Sequence, residues 1–297
     1  MSPQDPRKQI SEQGWYRQFV FEEHGVRGQL VRLTGAWQAM HAGRDYPAVL
    51  RRMLGEFVAF GTMIGGQLKI PGRLTVQLQG GGPLGLLLVD VFAHGDDLGV
   101  RAYARTGASL VGRTLAECFG DGRLAVTLFP DAAEVPYQSL VPLDGDTISE
   151  ICSRFVEQSE QQATVLWLAA SDAAAGGLFL QRLPQSAADD DDDWRRLCLL
   201  AATARAHELL ELPVTQLLPR LFPEDDIRLF DPRPLHYHCL DARPQIAATL
   251  VAMGRAELDT LLAEQGEIVV HDEVCNRDYR FTGADVEALF SPSARAP

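Results

Sequence analysis

The chain has 297 residues, 46% of them hydrophobic and 23% charged, with a formal net charge of -13 at pH 7. That is the composition of a folded globular protein with room for one large domain and a smaller one. Its negative surface argues against nucleic acid or an anionic membrane as partner. Lysine occurs only at Lys8 and Lys69, neither in the Gly-Lys-Ser/Thr setting of a phosphate-binding loop, which excludes a P-loop nucleotide machine. Residues 1–18 are polar and charged, with no apolar core for a secretory leader or an anchor, so a cytoplasmic location is expected.

In chain order, Tyr46-Pro47 opens a helical run in which Leu50, Met53, Leu54, Phe57, Val58 and Ile64 recur at helical spacing. Glu56 and four glycines interrupt its most apolar part, which makes it a core helix and not a membrane span. Residues 74–79 alternate strictly, Gly80-Gly-Gly-Pro83 turns the chain, and residues 84–92 return as a more apolar strand. No helix follows the glycines to supply unpaired N–H groups, so they read as a hairpin turn and not as a phosphate cradle. Further strands are expected at 100–105, 124–129, 137–143, 164–170 and 177–183. The capping-box pattern Thr147-Ile-Ser-Glu150 opens a helix running to about residue 162. Hairpins with inserted helices indicate an α+β core over residues 1–184.

Residues 185–188 then lead as a loop into the acidic run 189–193, placed where a helix N-terminus favours negative charge. Leu197, Leu200, Ala201, Ala204 and Leu209 predict one amphipathic helix, and a short helix after Pro213 carries Leu217, Leu218 and Leu221. Residues 185–230 thus form a helical linker whose apolar stripe requires cover. Residues 231–297 read as a small tail module: a loop, helices at 246–253 and 256–263, strands at 267–270 and 278–281, and a helix at 284–290. So small a core calls for a metal, a disulfide or docking.

The five cysteines are odd in number and widely spaced, unlike a secreted disulfide framework, so thiols in a reducing compartment are expected. Cys118, Cys152 and Cys198 lie among apolar neighbours and read as packing residues. Cys239 and Cys275 stand among His236, His238, His271 and Asp272.

The segments Phe21-Glu-Glu-His-Gly-Val-Arg-Gly-Gln-Leu30, Leu74-Thr-Val-Gln-Leu-Gln-Gly80, Leu143-Asp-Gly-Asp-Thr147 and Glu208-Leu-Leu-Glu-Leu-Pro213 carry a resemblance to the heat shock protein 33 family. It extends into the tail through Leu261-Leu-Ala-Glu-Gln-Gly-Glu-Ile268 and Tyr279-Arg-Phe281. The resemblance implies a stress-response holdase chaperone that binds unfolding proteins without ATP, built from an N-terminal core, a helical linker and a C-terminal zinc domain. It implies a redox switch in which oxidation releases zinc from four thiolates, and it is compatible with a homodimer in the active form.

At the switch this sequence departs from the family. Tyr237 and Asp272 stand at two of the ligand positions, and only Cys239 and Cys275 remain as redox thiols. A tetrathiolate site is therefore excluded. A mixed zinc site from the two cysteines with His236, His238, His271 or Asp272 stands beside a metal-free module with solvated histidines. The competing function is a regulatory protein that keeps the fold and binds one folded partner. No nucleophile motif or cofactor fingerprint points to an enzyme, and the client-binding surface is not legible.

Overall fold

The structure is a computed structural model that describes residues 12–107, 114–132, 135–184 and 191–291. Lys8, most of the polar start, the loop 185–188 and the first two aspartates of the acidic run lie outside the described residues. The chain divides into two compact units, Met1–His238 and Cys239–Pro297.

The large unit is built on β1 (Gly14–Phe21), β2 (Val26–Leu33), β3 (Gly72–Gln79), β4 (Leu84–His94), β5 (Asp97–Thr106), β6 (Arg123–Pro130), β7 (Tyr137–Pro142), β8 (Thr164–Ala170), β9 (Ala175–Arg182), β10 (Ile227–Leu229) and β11 (Arg233–Tyr237). These make one eleven-stranded sheet in the order β7-β6-β3-β4-β5-β11-β1-β2-β9-β8, with β10 also paired to β1. Pairing is antiparallel except where β11 runs parallel to β5, Leu235 opposite Leu98. With its helices this is an α+β fold. No helix among the described residues is long and apolar enough to cross a membrane.

The central helix, α2 (Ala48–Gly66), follows α1 (Gly35–His41) and lies on one face of the sheet. Its glycines let it approach closely: a Cβ at Gly65 would stand 2.4 Å from Val91, and one at Gly61 2.9 Å from Val89. The short α3 (Leu115–Phe119) and α4 (Ile148–Glu160) complete this side. The Thr147 hydroxyl accepts from the Glu150 amide at 3.2 Å, while the Glu150 carboxylate accepts from the Asp146 amide at 2.9 Å, one residue before the reciprocal partner the capping box predicts.

The structure differs from the sequence expectation in three places. β1 and β2 are strands without a local strand signature, because they are covered on both faces and lack clean polar alternation. β11 occupies part of the expected loop, which brings residues 231–238 into the large unit. The single linker helix is two, α5 (Asp191–Ala201) and α6 (Ala206–Glu211), followed by α7 (Val214–Leu221). The break is closed by side chains: the Thr203 hydroxyl donates to the Leu200 carbonyl at 2.7 Å, and the Glu208 carboxylate accepts from the Arg205 amide at 2.8 Å.

The small unit contains α8 (Arg243–Met253), α9 (Arg255–Gln265), the hairpin β12 (Ile268–Asp272) and β13 (Arg277–Phe281), and α10 (Gly283–Leu289). Its core is Leu250, Leu258, Ile268, Tyr279, Phe281 and Val286.

Candidate functional site

Side chains alternate across a strand, so β1, β2 and β9 present two apolar faces. Tyr16, Val31 and Phe179 point to the core around α2. Phe19, Phe21, Val26, Leu30, Leu178 and Leu180 point the other way. That second face is covered by the linker stripe, with Leu197, Ala201, Leu209, Leu217, Leu218 and Leu221 buried against it. Phe222 continues the cover, its ring edge-on to Phe21 at 4.9 Å.

Polar contacts fix the register of this cover. Arg32 of β2 is buried and donates from Nε and Nη2 to the Leu209 carbonyl at 3.1 and 2.8 Å, and from Nη2 to the Leu212 carbonyl at 2.6 Å. It thereby satisfies carbonyls that the end of α6 leaves unpaired. Burial lowers the Arg32 pKa, an effect opposed by Glu211. Within the linker, Arg220 of α7 donates to Glu208 of α6 at 2.5 Å.

The cysteine segments have a different character. In the large unit, His236 Nδ1 lies 3.1 Å from Asp97, and its Nε2 lies 3.4 Å from His238 Nδ1. His238 stacks at a tilt on Phe92, 4.6 Å between centroids, and burial followed by the charges of His236 and Arg101 lowers its pKa. Tyr237 packs against the main core.

In the small unit, Asp272 closes the β12–β13 turn, its Oδ1 accepting from the amides of Val274 at 2.9 Å and Cys275 at 3.3 Å. Asn276 takes a left-handed conformation in that turn, φ 51°. His271 Nδ1 lies 2.7 Å from the Asp278 carboxylate. Cys275 is buried, Cys239 is half-buried, and none of the five cysteines is in a disulfide.

Sequence reasoning missed Arg277 and Tyr279 as neighbours of the thiols. The Tyr279 hydroxyl accepts from the Ala242 amide at 3.0 Å, tying the segment after Cys239 to β13. The Arg277 pKa is raised first by its hydrogen bond to Tyr279, then by the charges of Cys239 and, more weakly, Cys275.

Zinc needs four converging donors in a closed structural site. Among the described residues no three of His, Cys, Asp or Glu gather in a way that could hold a metal ion. The bonds of Asp272 Oδ1 and His271 Nδ1 do not themselves block Oδ2 or Nε2 from ligating; it is the lack of convergence among the described residues that keeps them from making that set.

The remaining cysteines are packing residues by environment. Burial raises the pKa of Cys118 and Cys152, and raises that of Cys198 to about 11, which keeps them protonated and unreactive.

Comparison with known proteins places these features in context. The family model described as Hsp33 protein matches residues 16–282. The 33 kDa chaperonin of Nitrosococcus oceani is 41% identical over 279 residues, covering 94% of this chain and 95% of that protein. That of Methylobacillus flagellatus is 38% identical over 281 residues, covering 94% and 95%. The crystal structure of the 33 kDa chaperonin from Thermotoga maritima superposes with a TM-score of 0.76 at 20% identity, over 93% of this chain and 97% of that one, a likeness of fold alone.

Proposed function

The chain belongs to the Hsp33 family, and from that premise we propose that it is an ATP-independent holdase chaperone that binds unfolding proteins in the cytoplasm. One observation carries the mechanism: an apolar sheet face around Phe19, Phe21, Leu30 and Leu178 is covered by helices whose own stripe is apolar. Release of α5–α7 would uncover both surfaces together, a patch of the kind that captures other proteins. On this reading residues 1–184 are the platform, α5–α7 its removable cover, and the small unit, residues 239–297, the region that controls it. Clients are unfolded proteins, nucleic acid and membrane are not partners, and the active form is compatible with a homodimer.

The control differs from a four-thiolate switch. A mixed zinc site at Cys239 and Cys275 would require donors to gather that, among the described residues, do not converge. We propose instead that heat is the main activator, because the small unit rests on a short list of apolar contacts. Oxidation joins Cys239 to Cys275. One hydrogen peroxide takes two electrons and two protons from the two thiols, giving one disulfide and two waters. The bond closes a loop within the small unit and so holds that unit together.

The functional test is suppression of light scattering by a thermally unfolding client, without ATP, at near-stoichiometric chaperone. Protection that sets in as the chain is warmed supports the holdase reading. No protection at any temperature or redox condition removes it.

A further inference from the structure

We infer that His24, Asp193, Arg196 and Asp225 form an ionic latch that holds the linker helices on the sheet and sets how readily they leave it. Its functional consequence rests on the holdase reading; its geometry does not. Three separate stretches of chain meet there. His24 sits in the turn between β1 and β2, Asp193 and Arg196 on the first turns of α5, and Asp225 in the connection between α7 and β10.

Asp225 is the centre. Its side chain is 1% exposed, and its two oxygens accept from Arg196 Nη2 at 2.5 Å and Nη1 at 3.1 Å. His24 Nε2 lies 3.1 Å from the same carboxylate, while His24 Nδ1 lies 2.9 Å from Asp193. Arg196 Nη2 is 3.3 Å from His24 Nε2, and Arg196 Nε is 3.7 Å from Asp193. Only the imidazolium, with a proton on each nitrogen, hydrogen-bonds both carboxylates. Neutral His24 donates from Nδ1 to Asp193 and accepts from Arg196 at Nε2.

The arrangement acts as a latch because a carboxylate taken out of water depends on its partners. The guanidinium that pairs with Asp225 belongs to the helix that must depart. It is also the cation facing Asp193, Asp225 and Glu224, whose charges, after the hydrogen bond to Asp225, raise its pKa. If α5 lifts away, Arg196 and Asp193 go with it, and Asp225 loses its counter-charge. The apolar stripe supplies non-directional attraction, whereas the latch fixes the start of α5 and the exit of α7 to one turn of the platform. His24 lies in the Glu-Glu-His-Gly stretch and Asp193 in the acidic run, neither of which the apolar cover explains.

The test uses the full-length chain and its variants, read by hydrogen exchange at a temperature where the wild type gives no client protection. Arg196→Gln is expected to speed exchange in α5 and α7 by at least about tenfold, to leave β3, β4 and β6 unchanged, and to bring client protection to that temperature. Arg196→Lys, which keeps the charge, should restore most of the protection from exchange. Unchanged exchange in α5 and α7, or an equal rise in the core strands, overturns the latch. If Arg196→Gln does not fold, His24→Gln is the second variant, and identical exchange in that variant and the wild type likewise overturns it. A linker that loosens without any gain in client protection supports the latch and counts against the holdase reading.

Discussion

The two units of this chain meet the same requirement, burying enough apolar surface to offset chain entropy, with very different means. The large one has a sheet covered on both faces, with Phe57, Phe60, Phe119 and Trp37 wholly buried on one side. The small one relies on a hairpin and short helices around Phe281, Leu258 and Val286, and its α8 and α9 each bury a single side chain, Leu250 and Leu258. The first tolerates local faults. The second has little margin.

The largest test of that contrast is Phe281→Ala against Phe60→Ala. Each truncation costs about 3–5 kcal/mol, comparable to all that so small a core supplies. Phe281→Ala should therefore leave the small unit unfolded in hydrogen exchange while the sheet stays protected. Phe60→Ala should lower the melting temperature of a large unit that still folds. A small unit that keeps its protection in Phe281→Ala would mean that its stability lies elsewhere.

The second test adds margin instead of removing it. A Cys239–Cys275 disulfide stabilises by about 4 kcal/mol on the loop-entropy model, before any strain. Peroxide should raise the melting temperature of the small unit and delay heat activation in the wild type, with no such shift in Cys275→Ser. Peroxide that loosens the small unit and increases client protection contradicts the staple.

The third test concerns a polar group that the large core tolerates. Burial raises the Glu56 pKa from 4.5 to about 7, with Arg52 opposing. The folded state thus holds this proton more tightly than the unfolded chain does. The associated stability is full below about pH 4.5 and is lost as pH rises through 7. At pH 8 the penalty is on the order of 3 kcal/mol. Glu56→Gln should stabilise the large unit in urea at pH 8, with much less effect at pH 5, and an equal effect at both would assign the change to packing.

The hairpin β3–β4, the helix α2, the cap of α4 and the pair β12–β13 were legible because local spacing and turn residues specify them. What was not legible depends on distant partners. Arg233-Pro-Leu-His-Tyr237 is short and contains a proline, and it becomes a strand through parallel pairing with β5 and contact with β1. The break between α5 and α6 contains neither glycine nor proline, and side-chain capture makes it. In the candidate site, the thiols were visible as residue types and the linker stripe as a period. The cover it provides depends on the outer face of β1, β2 and β9, and the latch depends on residues 24, 193 and 225 coming together, which no local window contains.

The return of the chain through β10 and β11 bears on how the cover comes back. The segment between Arg182 and Ile227 begins at the end of one sheet strand and finishes at the start of another, so it is a closed excursion and not a dangling arm. While those strands hold, lifted helices remain tethered at both ends, and their local concentration at the vacated face stays on the order of millimolar. A client must then compete with an intramolecular ligand that is always present. On the proposed heat-activated holdase reading, capture would last while heat keeps the helices from re-forming, and cooling would shift the competition back toward the chain's own segment and discharge the client.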